Sequence, residues 1–258
     1  MELTVLIPAL NEAENLQSLL RDVDRVLRKM PVDFEVVVVG GGSGDDTRPM
    51  VEKAGARFVN QTGRGYGQAL SEGFAAANGE YVLTMDADHS HEPSFIQTLW
   101  DHRGESELVI ASRYVACGSA ETGVFRSVLS RLLNGVYRRF LGIPFRDLSS
   151  GFRIYPMAGL RKIDPQGRDF DILPEVLVLL YSAGHTILEV PFHYRPRRKG
   201  RSRVRLFRCG WSYLKTLLRM RRLRNSEPIA NRPRVASEAS WPKARSVRRF
   251  ITIRARRS

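Results

Sequence analysis

The sequence predicts an α/β fold built on a mainly parallel sheet flanked by helices, with a basic C-terminal extension. Three observations carry this. Short β-branched runs alternate with segments of helical periodicity along the first two hundred residues. The loops after the first, second and fourth of those runs, PALNE, GGGSGDD and DADHSH, hold the richest chemistry, and open α/β sheets gather their ligands beyond the carboxyl ends of strands. Charge is divided as well: residues 1–194 carry 19 Lys and Arg against 25 Asp and Glu, while residues 195–258 carry 22 against 2. The formal charge of +14 therefore belongs to the tail.

Residues 3–7 read as a short buried strand ended by Pro8. A helix opens at Asn11, which can cap it, with Glu14 three residues on as in a capping box; Leu16, Leu19, Leu20, Val23 and Leu27 keep helical spacing. Residues 34–39 form the second strand, 45–54 a helix, 57–59 the third strand, 67–77 a helix, 81–85 the fourth strand and 108–111 the fifth. Helical periodicity returns over 124–141. An apolar helix over 170–183 is interrupted by Pro174 and Glu175, and 187–190 form a late strand. RPRRKGRSRVR is then a basic loop. Residues 206–224 follow as an amphipathic basic helix, with Phe207, Trp211, Leu214 and Leu218 on one face and Arg208, Lys215, Arg219 and Arg222 on a flank. Residues 225–258 are a basic disordered tail without periodicity. The expected organisation is one domain over 1–205, the helix and the tail.

At 258 residues and 43% apolar, the chain is long enough for a large core. Only Cys117 and Cys209 occur, too few for a disulfide framework and suited to a reducing cytosol. Glu2, Pro8, Asn11 and Glu12 break any leader-like opening, and no apolar run reaches roughly 18 residues. The expected location is cytoplasmic, peripheral at the cytoplasmic face of a membrane. No nucleic-acid partner is expected, because the body is acidic and lacks a recognition-helix motif.

The sharpest chemical signal is Asp86-Ala87-Asp88 at the exit of the fourth strand. Two carboxylates one residue apart can share a hard divalent cation, which can grip a diphosphate and offset the charge that develops as it leaves. His89 and His91 lie nearby, but no third ligand is spaced for zinc, so they are expected at the surface or behind the site. VVVVGGGSGDDT, residues 36–47, matches neither G-x-G-x-x-G nor a P-loop. Gly63, Gly65 and Gly67 can shape a close-approach turn, and plain loop flexibility is the other reading.

IPALNEAENL, GSGDDT, GRGYGQAL, MDADHSHEP, ASRY, DLSSGFRIY and EVPFHYRPRRKGRSR occur in this order. The series resembles the family 2 glycosyltransferases, and within them the dolichyl-phosphate mannose synthase-like branch that glycosylates polyprenyl phosphates; the likeness covers roughly residues 3–224. It implies a GT-A (Rossmann-like) fold, a nucleotide-sugar donor, Mg²⁺ or Mn²⁺, and inversion at the anomeric carbon. By the resemblance, Pro8, Leu10, Glu12, Val39 and Gly41 line the nucleotide pocket, and Asp86, Ala87, Asp88 and Ser90 hold metal and diphosphate, with Asp88 also catalytic. Arg113 and Arg126 match catalytic arginines that face phosphates. Arg197 and Arg203 match a late basic pair at the donor. Gly40 and Gly41 stand where the family has two aspartates, which reads as two emptied acidic positions.

These assignments imply a partner set: a GDP- or UDP-hexose, a polyprenyl phosphate and an anionic membrane surface. A phosphate monoester, with a second pKa of about 6, is mostly an anionic nucleophile at neutral pH, so no strong base is required. A hydroxyl acceptor on a glycan or lipid would need one, and Asp147 is the candidate for that variant, a structural aspartate capping a turn being its preferred reading. A catalytically weak, binding descendant is the third reading, favoured by the two glycines and opposed by the intact D-x-D.

Overall fold

The computed structural model describes residues 1–10, 12–41, 47–121, 124–196 and 216–221, and the side chains of all of these except 124–127. Strands β1 (Leu3–Pro8), β2 (Phe34–Gly40), β3 (Arg57–Asn60), β4 (Tyr81–Thr84) and β5 (Leu108–Ser112) alternate with helices α1 (Ala13–Leu27), α2 (Thr47–Lys53), α3 (Tyr66–Ala76) and α4 (Phe95–Asp101). There follow β6 (Ser119–Ala120), α5 (Val124–Leu141), β7 (Arg153–Pro156), α6 (Met157–Leu160), α7 (Ile172–Ser182), β8 (Ile187–Pro191) and β9 (His193–Tyr194).

Seven strands form one sheet in the order β3-β2-β1-β4-β7-β5-β8, and β6 pairs with β9 apart from it. All neighbours in the large sheet are parallel except β7, which runs antiparallel to both β4 and β5. The expected mainly parallel sheet is thus present, with one strand that the sequence pattern did not reveal.

Strand periodicity divides the core in two. Leu3, Val5 and Ile7 face the layer of α1, α2 and α4, while Leu6, Val37 and Val39 face that of α3, α5 and α7. Helix α1 buries Leu16, Leu19, Leu20, Val23 and Leu27. Its cap position is Glu12 rather than Asn11, which lies outside the described residues; the Glu12 carboxylate receives a hydrogen bond from Asn15 Nδ2 at 2.7 Å. Pro174 does not interrupt α7, because it is the third residue of the first turn, where an N–H has no helical partner to lose.

Residues 216–221 are helical and packed on this core. Leu217 and Met220 are buried among the α5 and α7 side chains, Thr216 Oγ1 donates to Asp171 Oδ2 at 2.9 Å, and Arg219 pairs with Glu175 at 2.5 Å. The rest of the helix expected over 206–224, and the tail, lie outside the described residues. Among the described residues no helix is long and apolar enough to cross a membrane.

Candidate active site

Beyond the carboxyl ends of β1 and β4 lies a cleft lined by Pro8, Ala9, Leu10 and Glu12 on one side and by Asp86, Ala87 and Asp88 on the other. Gln61, Gly65, Tyr66, Ala69, Asp169 and Phe170 complete it. Parallel β1 and β4 exit side by side, Leu6 opposite Thr84, and this register brings the two loops together.

The floor is set by close backbone approach. A Cβ on Gly65 or Gly67 would sit 2.3 Å from the carbonyl oxygen of Arg168 or Gly167, respectively, and the Gly67 N–H donates to the Arg168 carbonyl at 2.9 Å. Close approach, rather than flexibility, accounts for these two glycines. The contact brings Phe170 under Tyr66, their rings stacked at 4.5 Å. Glu175 fixes the loop from below, accepting the N–H groups of Gln166 and Gly167 at 3.0 and 2.6 Å.

Asp86 is held from several sides. Its backbone N–H donates to His91 Nδ1 at 2.9 Å, and the Tyr66 hydroxyl donates to its Oδ1 at 3.2 Å. Since Nδ1 is the acceptor, a neutral His91 carries its proton on Nε2, which faces Asp86 Oδ2 at 3.7 Å. His91 is buried and stacks on Phe152 at 4.8 Å. Burial pushes its pKa down, leaving a neutral ring that orients the aspartate. Burial likewise raises the Asp86 carboxyl and raises the Tyr66 phenol well above its usual value. Gly151 permits this crowding: a Cβ there would lie 2.8 Å from the Tyr66 hydroxyl and 3.4 Å from Asp86 Oδ1.

Asp88 is buried and accepts the Ser90 N–H at 3.0 Å, an Asx-type turn that folds the loop back on itself. Ser90 Oγ is buried without a hydrogen-bond partner of good geometry. Two carboxylates and an orphaned hydroxyl are hard oxygen donors, the set that suits Mg²⁺ or Mn²⁺. Among the described residues no cluster of three His, Cys, Asp or Glu could hold a metal. His89, with a positive φ of 63°, is directed away to Ser18 Oγ at 2.7 Å.

The other expected site residues are placed less uniformly. Arg113 lies on the same side of the sheet end, its guanidinium 5.1 Å from the Tyr114 ring and 5.6 Å from that of Tyr194. Its Nε and Nη2 bind the two oxygens of Asp147 at 2.8 and 2.7 Å, and its backbone N–H adds a third bond at 2.9 Å. Burial raises the Asp147 pKa, but this guanidinium overcomes it, and the carboxyl ends below the usual range. Asp147 is therefore a poor proton acceptor, and the base proposed for a hydroxyl acceptor is instead a structural partner of Arg113. Val39 lies outside the cleft, its side chain fully buried in the core and its carbonyl taken by the Ala9 N–H at 2.8 Å. Arg126 belongs to α5, its side chain outside the described atoms, and Arg197 and Arg203 lie outside the described residues. Arg195, which is described, donates its backbone N–H to the Ser90 carbonyl at 3.4 Å and pairs with Glu92 at 3.2 Å.

Gly40 and Gly41 answer to packing. A Cβ on Gly40 would lie 2.7 Å from the Ala9 carbonyl oxygen, and one on Gly41 would lie 2.6 Å from that of Gln61. Both positions are closed to any side chain on this backbone, so they do not act as vacant sockets for a carboxylate.

Tyr66, Phe170, Gln61 and Asp169 belong to the site without having been expected there, and His91 lies behind Asp86. Tyr66 sits within the quoted GRGYGQAL, and the glycines around it were the available signal.

A doubly wound sheet with a paired-carboxylate loop at the meeting point of two parallel strand exits defines a nucleotide-utilising α/β domain. Residues 4–164 match the glycosyl transferase family 2 model, and the chain belongs to that family. It is 30% identical over 232 residues to a dolichol-phosphate mannosyltransferase of Pyrococcus furiosus, covering 85% of this chain and 64% of that one. It is also 30% identical over 198 residues to glycosyltransferase AglJ of Haloferax volcanii, covering 76% of this chain and 64% of that one. The chain thus spans just under two thirds of these relatives. In three dimensions it resembles glucosyl-3-phosphoglycerate synthase of Mycobacterium tuberculosis, solved with Mn²⁺, uridine diphosphate and phosphoglyceric acid, at a TM-score of 0.68 and 23% identity over 89% of this chain and 80% of that one. The fold is GT-A.

Proposed function

We propose that this domain transfers a hexose, mannose or glucose, from a GDP- or UDP-sugar to a polyprenyl phosphate, with inversion at the anomeric carbon. The observation that carries the reading is the oriented Asp86 beside Asp88, facing Pro8, Leu10 and Glu12 across one cleft. The named activity of the Pyrococcus furiosus relative supports the acceptor class.

In this reading Leu10, half exposed at the rim, covers the nucleotide's base, while Pro8 and Glu12 line its pocket. Asp86, Asp88 and Ser90 hold Mg²⁺ or Mn²⁺. When bound, the cation supplies Lewis-acid stabilisation of the departing diphosphate. His91 and Tyr66 keep Asp86 aimed into the cleft. Arg113, steadied by Asp147, together with Arg126, Arg197 and Arg203, offsets the repulsion between two phosphorylated substrates. The acceptor phosphate attacks as an anion, so the chain supplies orientation and charge rather than a base. Both oxygens of Asp147 are taken by the Arg113 guanidinium, which removes that carboxylate as a base for a hydroxyl acceptor. The reaction places the protein at the cytoplasmic face of a membrane.

The test is a panel of GDP- and UDP-hexoses with Mg²⁺ or Mn²⁺, read as protection against unfolding, followed by transfer to a short-chain polyprenyl phosphate. A donor at 100 times its dissociation constant adds about 2.7 kcal/mol. Absence of metal-dependent protection by every donor, or transfer to hydroxyl acceptors alone, overturns the reading.

A further inference from the structure

We infer that Glu72, which does not itself line the cleft, is a positioning residue that fixes the cleft wall at residues 61–65 and thereby sets the affinity for the donor. The inference rests on the donor occupying the cleft as proposed above. Gln61 and Gly65 both line that cleft, and they bound the loop that joins β3 to α3. The loop is tied to distant backbone on either side. The Gln61 N–H donates to the Gly40 carbonyl at 2.8 Å, and past the loop the Gly67 N–H donates to the Arg168 carbonyl at 2.9 Å. Its middle, Thr62 and Gly63, is held by Glu72.

The anchor comes from the helix that the loop leads into. Side chains of a helix lean towards its N-terminus, so Glu72, in the second half of α3, reaches back over the first turn to the preceding loop. Its Oε2 accepts the Thr62 N–H at 2.9 Å. Its Oε1 accepts the Gly63 N–H at 3.0 Å, the Thr62 hydroxyl at 2.8 Å and Gln68 Nε2 at 3.0 Å. Burial acts to raise the carboxyl pKa, but the bonds from Thr62, Gln68 and Gly63 outweigh it and bring it down to about 2. The anchor is therefore ionised at neutral pH. The loop lies tight against it: a Cβ on Gly63 would sit 2.3 Å from Gln68 Cγ. Gln61 Nε2 closes the loop on itself, donating to the Gly65 carbonyl at 2.8 Å, so a shift at Thr62 and Gly63 carries both cleft residues with it.

Glu72 contributes geometry rather than charge, and the two make opposite predictions. A nucleotide sugar is an anion, so removal of a nearby negative charge would by itself tighten its binding. Removal of the anchor instead lets residues 61–65 spread over several positions, of which one forms the wall, and affinity falls with the fraction of time spent there. Asp86 and Asp88 keep their own supports in His91, Tyr66 and the Ser90 N–H, so the chemical step keeps its rate once the donor is bound.

The test compares Glu72→Ala, Glu72→Gln and a control at an exposed glutamate of α2, Glu52→Ala, in the full chain. Glutamine keeps one carbonyl oxygen for an N–H, whereas alanine keeps none. With GDP-mannose or UDP-glucose as the probe, the dissociation constant should rise roughly tenfold in Glu72→Ala and about threefold in Glu72→Gln, with kcat at saturating donor within about twofold of native. Glu52→Ala should match the native chain. A second readout needs no donor: exchange of the Thr62 and Gly63 amide hydrogens, followed by NMR, should speed up about tenfold or more in Glu72→Ala. Unchanged or tighter donor binding by both Glu72 variants overturns the inference, and so does native exchange at those two amides in Glu72→Ala. A fall in kcat with an unchanged dissociation constant also overturns it, since that is what a merely structural loss of active molecules gives. If neither nucleotide sugar binds the native chain, the proposed transfer fails, while the exchange comparison still decides whether Glu72 holds this wall.

Discussion

Arg113 and Asp147, 34 residues apart in sequence, form a two-pronged ion pair with Nε–Oδ2 and Nη2–Oδ1 distances of 2.8 and 2.7 Å. Asp147 is fully buried and Arg113 nearly so. Removing one partner of such a pair leaves an uncompensated charge, so Asp147→Asn should destabilise by about 3–5 kcal/mol in denaturant unfolding. Arg113→Lys should also be poorly tolerated, because an ammonium cannot make both parallel bonds.

The same pair predicts a pH dependence. The folded pKa of Asp147 lies below its unfolded value of about 3.9, so its contribution to stability is fully present above that value. It is lost as pH falls through the lower folded value. Unfolding curves should therefore lose stability below about pH 4, and Asp147→Asn should flatten that limb relative to wild type.

Replacing Asp88 by Ala should abolish metal-dependent donor protection with little loss of fold. The carboxylate lines the cleft, and the bond it accepts from the Ser90 N–H is worth about 1 kcal/mol. Near-native turnover by this variant, or wild-type turnover indifferent to chelator, would remove Asp88 from the metal site.

Gly41→Asp and Gly41→Ala should lose stability together, by about 1–3 kcal/mol, because either Cβ meets the Gln61 carbonyl. Tighter donor binding by the Asp variant alone would contradict this and revive the idea of an emptied acidic position.

Truncation should show a sharp boundary. Ending the chain after residue 221 keeps Leu217 and Met220 in the core. Ending it before 216 removes both, at about 1.5–3 kcal/mol for each side chain, and also deprives Glu175, which supports the loop beneath the cleft, of Arg219. Circular dichroism melts of the two truncations give the comparison.

The parallel half of the fold was legible because β1, β2 and β4 are buried runs and α1 repeats leucines at helical spacing. Strand β7 was not, since it has four residues and its first is an arginine with no exposed surface, a residue that reads as polar until its Nη atoms are seen capping the Leu173 and Leu148 carbonyls. Of the site, Asp86 and Asp88 were legible as a spaced pair at a strand end. Tyr66 and Phe170 were not, because what makes them part of it is contact between loops far apart in sequence. The glycines at 40 and 41 misled for the same reason: their neighbours are the carbonyls of Ala9 and Gln61, which no local pattern reports.

Strand β7 occupies a central place in the sheet, between β4 and β5, yet is made after both. Until residue 156 is in place, β4 has an incomplete edge and β5, whose neighbours β7 and β8 both come later, has no strand partner, so both carry unpaired backbone groups. Such edges can recruit other chains. Formation of this sheet is therefore tied to late, long-range pairing rather than to propagation from the N-terminus, which makes for slow folding. Substitutions in β7 should consequently show themselves first as loss of soluble protein during synthesis, before any change in the mature domain's chemistry can be measured.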